Sequence, residues 1–180
     1  MRTPKPPGPS GNSCKPAVIL RLGLCLAALL ACQGGLGADQ VRRNPFNDPF
    51  VQLTSGMAQC PVPEVPVYTA EEFKSLAHER SQRGVSCWLA GRCRLHNAYL
   101  YDAEIAPRVR VAVLATSRYG GTSVWALVQR RRVWLKGCVQ TAAQAREIEA
   151  IVRNIDDVED VGSELMLGTH GVPRYPVHKP

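Results

Sequence analysis

Three consecutive runs decide the fold: Arg132-Val-Trp-Leu-Lys-Gly-Cys-Val139, Thr141-Ala-Ala-Gln-Ala-Arg-Glu-Ile-Glu-Ala-Ile-Val152 and Val158-Glu-Asp-Val-Gly-Ser-Glu-Leu-Met-Leu167. In the first, Val133, Leu135, Gly137 and Val139 share one face while Trp134, Lys136 and Cys138 share the other, which is the period of a strand. In the second, Thr141 and Gln144 form a capping box. Ala145, Ile148, Val152 and Ile155 then recur at helical spacing. In the third, Val158, Val161, Ser163, Leu165 and Leu167 mark a last strand. A strand–helix–strand unit joins its strands in parallel through a right-handed crossover.

Working towards the N-terminus, Thr122 to Val128 is another β-rich run, and Gln129-Arg130-Arg131 reads as the hairpin that joins it to Arg132–Val139. Before it, Ile105, Val109, Ala112 or Val113, and Thr116 trace a helical face that closes at Tyr119-Gly120-Gly121. Pro107 is placed in the first turn of that helix, where proline is tolerated. The order helix, strand, strand, helix, strand over 103–168 predicts an α+β sandwich, a three-stranded mixed sheet with two helices on one face. So small a core needs support, which an upstream helix and a disulfide would supply.

That support is sought in 68–102, a helical and cysteine-containing extension. Thr69-Ala70-Glu71-Glu72 is a second capping box, Phe73, Leu76 and Ala77 fall on one face, and Gly84 ends the helix. Cys87 to Leu95 reads as strand-like or a hairpin. Upstream again, 32–67 carries Asn-Pro-Phe-Asn-Asp-Pro-Phe at 44–50 and Cys-Pro-Val-Pro-Glu-Val-Pro at 60–66, and reads as an extended Pro-rich tether. Residues 169–180 form a tail.

Residues 1–31 have a different character. Leu22 to Ala31 is a ten-residue apolar run behind Arg2, Lys5, Lys15 and Arg21. At 1.5 Å per residue it reaches roughly half a bilayer core, too short to span and suited to a secretory signal peptide. Those four cations precede Cys32 while all 15 acidic residues follow it, so the formal charge falls from +7 to +3 without the leader. Charge therefore gives no case for nucleic acid as a partner. Leu29-Leu30-Ala31-Cys32 resembles the lipobox of bacterial lipoproteins, which implies acylation at Cys32 and a membrane anchor of two or three chains. Gln33 after the cysteine implies the outer membrane, periplasmic face. The competing reading is ordinary cleavage after Gly37 or Ala38, which leaves a soluble periplasmic protein.

Export would leave Cys60, Cys87, Cys93 and Cys138 in an oxidising compartment, with two disulfides and three pairings open. Cys87 and Cys93 can pair only if the chain turns between them, and Ala90-Gly91 is the candidate turn.

The stretch Val133-Trp-Leu-Lys-Gly-Cys-Val139, Ala145–Val152 and Ile155-Asp-Asp-Val-Glu-Asp-Val161 resembles the BON domain, a family of bacterial envelope modules named for osmotically inducible and nodulation proteins. Leu135, Gly137, Val158 and Val161 match its hallmark positions, and Ser163 stands where the family often has Asn. Trp88-Leu-Ala-Gly91 faintly echoes Trp134-Leu-Lys-Gly137, so 69–100 is weighed as a degenerate second copy. A single domain with an extension is preferred. The resemblance implies phospholipid binding and a part in envelope integrity, without catalysis.

No constellation for bond-making chemistry emerges. Cys87, Cys93 and His96 lack a fourth ligand at zinc-like spacing, Gly120-Gly121 is not followed by a phosphate-loop Lys, and Ser117 and Ser123 lack a nucleophile-elbow context. No cofactor is expected. The feature left is cationic: Arg108, Arg110 and Arg118 on the first domain helix, Arg130, Arg131 and Arg132 at the hairpin, and Trp134 beside them. Together they are read as a contact for anionic phospholipid. The alternative partner is an envelope protein, with the chain serving as an interaction subunit of a secretion or other envelope assembly.

Overall fold

A computed structural model describes residues 41–179. Its elements in chain order are β1 (Arg42–Arg43), β2 (Phe50–Ser55), β3 (Val67–Tyr68), α1 (Ala70–Gly84), α2 (Ser86–Leu89), α3 (Asp102–Leu114), β4 (Ser123–Gln129), β5 (Arg132–Val139), α4 (Ala142–Arg153) and β6 (Asp160–Leu167). The expected leader and its lipidation residue Cys32 lie outside the described residues.

β4 and β5 form the hairpin read from the sequence, with Val124 opposite Gly137 and Gln129 opposite Arg132. β6 lies parallel to β5, pairing Val133 with Val161, as the strand–helix–strand order requires. Gly137 is needed where it stands: its φ is +123°, and a Cβ there would sit 2.1 Å from the carbonyl oxygen of Ser123.

One face of the sheet carries the core. Val124, Ala126, Val128, Val133, Leu135 and Val139 pack against Ile105, Val109 and Val113 of α3 and Ile148 and Val152 of α4. Both helices therefore cover the same face, and the fold is α+β as expected. Both capping boxes form: Thr69 Oγ1 accepts from the Glu72 amide at 3.2 Å and Thr141 Oγ1 from that of Gln144 at 3.1 Å.

The sheet has four strands, not three, in the order β2-β4-β5-β6. The extra strand, Phe50–Ser55, comes from the run read as a tether, and it pairs antiparallel with β4 from Phe50–Leu127 to Ser55–Ser123. A shift in register at Gln52–Thr54 interrupts its alternation, which hides a short strand among prolines. The reason it forms is nonetheless plain. Without it β4 would present an open edge, and Val51 and Leu53 add to the core.

The rest of the described tether is also ordered. Residues 56–66 cross the second face of the sheet, where Cys60, Trp125, Cys138, Met166 and Tyr175 form a smaller apolar cluster with Met57 and Val177. Prolines cannot donate to a ladder, so carbonyls and side chains hold this clasp. The Tyr175 hydroxyl donates to the Pro61 carbonyl at 2.9 Å, Pro63 bridges to Val177, and the Asn44 amide donates to the Pro66 carbonyl at 2.7 Å.

Three further expectations are corrected. Cys87–Leu95 is not strand-like: it is the helical turn α2 and a reversal at Gly91, closed by the Cys87–Cys93 disulfide with its Cα atoms 5.4 Å apart. Trp88–Gly91 thus has no strand to match 134–137. Pro107 lies inside α3, beyond its first turn. It is tolerated because the carbonyl of Ala103 that loses its donor lies on the exposed side of the helix. That helix ends at Leu114, and Ser117–Tyr119 is a separate 3₁₀ turn.

The second disulfide joins Cys60 to Cys138 across 78 residues, while Cys87–Cys93 spans only 6. Restricting the unfolded chain predicts about 4.5 kcal/mol for the long loop and about 2 kcal/mol for the short one. In guanidinium unfolding, C60A/C138A should lose more stability than C87A/C93A. Equal losses would refute this account.

Candidate functional site

The β4–β5 hairpin turns through Arg130 and Arg131 with φ of 56° and 63°. A two-residue turn of this hand ordinarily takes Asn-Gly or Asp-Gly, and a residue with a long side chain is strained there by about 1 kcal/mol or more. What holds it is Asp102, the first residue of α3, which is 2% exposed. Its carboxylate oxygens accept the amides of Arg130 and Arg131, each at 2.7 Å. Burial pushes the Asp102 carboxyl up to about 6, against these two hydrogen bonds, which favour its charge.

The turn sends its two side chains to different places. Arg131 goes inward: Nε donates to the Asp157 carbonyl at 2.8 Å, Nη1 lies 2.9 Å from the Cys93 sulfur, and the guanidinium rests over the Tyr101 ring. Asp157 also binds Arg94 and Arg108, both at 3.1 Å. Burial opposes the charge on Asp157, yet the hydrogen bonds and charges of Arg94 and Arg108 hold its carboxyl below the ordinary range.

Arg130 goes the other way, into a cleft of about 230 Å³ between α1 and the hairpin. Phe46, Tyr99, Arg132 and Trp134 share its lining with Arg83, which pairs with Glu79 of the same wall at 2.7 Å. The wall on the α1 side is rigid because Arg80 is clamped. It donates to both oxygens of the buried Asp48, at 2.9 and 2.6 Å, and stacks between the rings of Phe46 and Tyr99. Asp48 also accepts from Gln129 at 2.7 Å, which ties α1 to the hairpin end of the sheet. Trp134 lies flat across Gly162: a Cβ there would come within 2.3 Å of the indole.

A second surface is the outer side of α3. Pro107, Val111 and Leu114 are exposed there at helical spacing, Val111 by 69% and Leu114 by 50%. Arg110 stands beside them on the helix, Arg108 lies half-exposed alongside, and Arg118 follows in the 3₁₀ turn beyond the helix. Arg118 pairs with Glu147 at 3.5 Å, and Arg110 has no ion pair among the described residues.

The seven residues expected to form one basic face thus separate. Arg108 and Arg110 stay with α3, Arg118 lies beyond it in the 3₁₀ turn and pairs with α4, Arg130, Arg132 and Trp134 line the cleft, and Arg131 is an internal strut. Arg132 pairs with Asp160 at 3.1 Å and lies 5.8 Å from the centre of the Trp134 ring. The sequence reading missed Asp48, Arg80, Tyr99 and Asp102. One signal was available for Asp102: a hairpin turn of two arginines needs an acceptor, and an acid at the start of the neighbouring helix can supply it. The grouping Cys87, Cys93 and His96 is not a metal site, because the two sulfurs are bonded to each other.

Residues 101–168 match the family model of the BON domain. This segment is a BON domain. The match begins at Tyr101, immediately before the Asp102 anchor, and ends at Gly168, so it takes in α3 to β6 and leaves β2 and α1 outside. No curated protein matches the chain. BON domains are generally non-catalytic modules of envelope proteins, and no helix among the described residues is long and apolar enough to cross a membrane.

The Asp102 anchor has a pH signature. The folded protein holds the Asp102 proton more tightly than the unfolded chain between about pH 4 and 6. This group's contribution to stability therefore rises as pH falls through 6 and is complete below about 4. D102N cannot titrate, and at pH 7 it points an amide donor at an arginine N–H, costing about 1–3 kcal/mol. Urea unfolding at pH 7 and pH 5 should show the wild type gaining stability relative to D102N at pH 5. An unchanged difference would sink the assignment.

Proposed function

We propose that this is a non-catalytic envelope protein that binds anionic phospholipid through the outer side of α3. One observation carries the reading: an apolar stripe of Pro107, Val111 and Leu114, exposed on the BON domain with Arg108 and Arg110 on the same helix at its sides. A helix lying in the headgroup plane needs that combination, apolar side chains to enter the acyl boundary and cations at its edge. Each unpaired cation near an anionic surface contributes about 1 kcal/mol, falling off within a Debye length. Those magnitudes give weak, reversible adsorption from the helix alone. An acylated Cys32 would supply the durable anchor, placing the protein on the periplasmic face of the outer membrane and its BON domain against the lipid surface. In that position it supports envelope integrity by occupying headgroups, with no bond made or broken.

The test uses C32A, which cannot be acylated, and vesicles of phosphatidylglycerol with phosphatidylcholine or of phosphatidylcholine alone. Binding should require the anionic lipid and weaken with salt. L114E should weaken it about tenfold, by losing apolar burial and adding a repelled charge. Binding that ignores salt, lipid charge and L114E would refute the reading.

A further inference from the structure

The cleft between α1 and the hairpin is not explained by lipid adsorption. Its sheet side is formed by Arg132 and Trp134, which project from the second face, whereas α3 covers the first face. A membrane lying on α3, as proposed above, leaves the cleft facing away from the lipid. The sequence also accepts a strained turn to put an arginine there. Arg130 stands in a left-handed conformation at which Asn or Gly would be relaxed, and its guanidinium has no hydrogen bond or ion pair among the described residues. Backbone strain kept at a surface position points to use of the side chain it presents.

We infer that this cleft is a docking site for an acidic segment of a partner protein, with a carboxylate side chain on Arg130 and Arg132 and its neighbour against Trp134. Three features select this occupant. A volume of about 230 Å³ suits a single side chain and its flanking backbone. Arginine and aromatic side chains around a preformed pocket are the composition that carries binding energy at protein interfaces. Of the lining arginines, Arg130 brings a charge unpaired among the described residues, since Arg80, Arg83 and Arg132 pair with Asp48, Glu79 and Asp160. The floor is preorganised, with Trp134 held against Gly162 and Arg80 locked by Asp48, so little order has to be gained on binding. The chain's own residues 1–38 contain no acid and do not fit this charge.

The experiment is an NMR titration of full-length C32A carrying ¹⁵N, followed at the Arg Nε and Trp Nε1 signals. The probe is a blocked Gly-Glu-Glu-Phe-Glu-Gly peptide, compared with inorganic phosphate and with phosphatidylglycerol vesicles at matched ionic strength. Saturable shifts at Arg130, Arg132 and Trp134 with the peptide, and not with phosphate, are expected. R130N should weaken peptide binding about tenfold while keeping the turn, because Asn tolerates the left-handed conformation. R110S should leave peptide binding unchanged. No saturable shift, equal shifts with phosphate, shifts at these residues only with vesicles, or peptide binding unaffected by R130N would each overturn the inference. Loss of vesicle binding in L114E with peptide binding intact would separate this site from the lipid surface, and loss of both together would overturn it.

Discussion

Two amides donated to one buried carboxylate set the geometry on which the hairpin end of this molecule depends. Asp102 is the first residue of α3, and its oxygens reach the turn between β4 and β5. That single contact fixes the helix against the sheet and holds two arginines in a backbone conformation they would otherwise leave. From it follow the inward strut of Arg131, which meets Asp157 and the short disulfide loop, and the outward reach of Arg130 into the cleft. A buried carboxylate with both oxygens occupied is costly to form and costly to break, so it specifies one arrangement of helix, turn and extension.

The described N-terminal segment works on the opposite side of the sheet. Asp48, at the end of the Asn-Pro-Phe-Asn-Asp-Pro-Phe run, neutralises Arg80, and the rings of Phe46 and Tyr99 sandwich the guanidinium. Through this clamp α1 is docked without a deep apolar face of its own, since Phe73, Leu76 and Ala77 are only half-buried. The Pro-rich run then covers Trp125, Cys138 and Met166. The matched domain is thereby completed by residues outside it, which supply a strand, a clasp and one wall of the cleft.

How much of this was legible in the sequence follows from where the information lies. Val133–Val139 and Ala145–Val152 show their periods openly because each buries a continuous face, so the hairpin, the crossover and the helix pair could all be read. Phe50–Ser55 could not, because one register shift and the flanking prolines erase its alternation. The clasp was illegible for a different reason. It is held by single carbonyls, a tyrosine and a disulfide from distant positions, and no local pattern announces such partners. The arginines were visible as charge, but the roles of Arg131 and Arg108 depend on partners 26 and 49 residues away. The side on which each one lands is decided by the turn and not by composition.

The long disulfide also sets a mechanical path. A pull applied at the N-terminal end of the described residues would have to peel β2 from β4 before it tensioned Cys60. From there the covalent bond carries the load directly to Cys138 in β5, a central strand of the sheet. Residues 61–137, including α1, α3 and the hairpin, form a closed covalent loop that the force bypasses once the contacts of residues 42–55 with it have broken. A chain tethered from its N-terminal side would therefore load the central strand through the disulfide, while Phe46 and Asp48, which hold one wall of the cleft, lie on the pulled segment and would give way with β2.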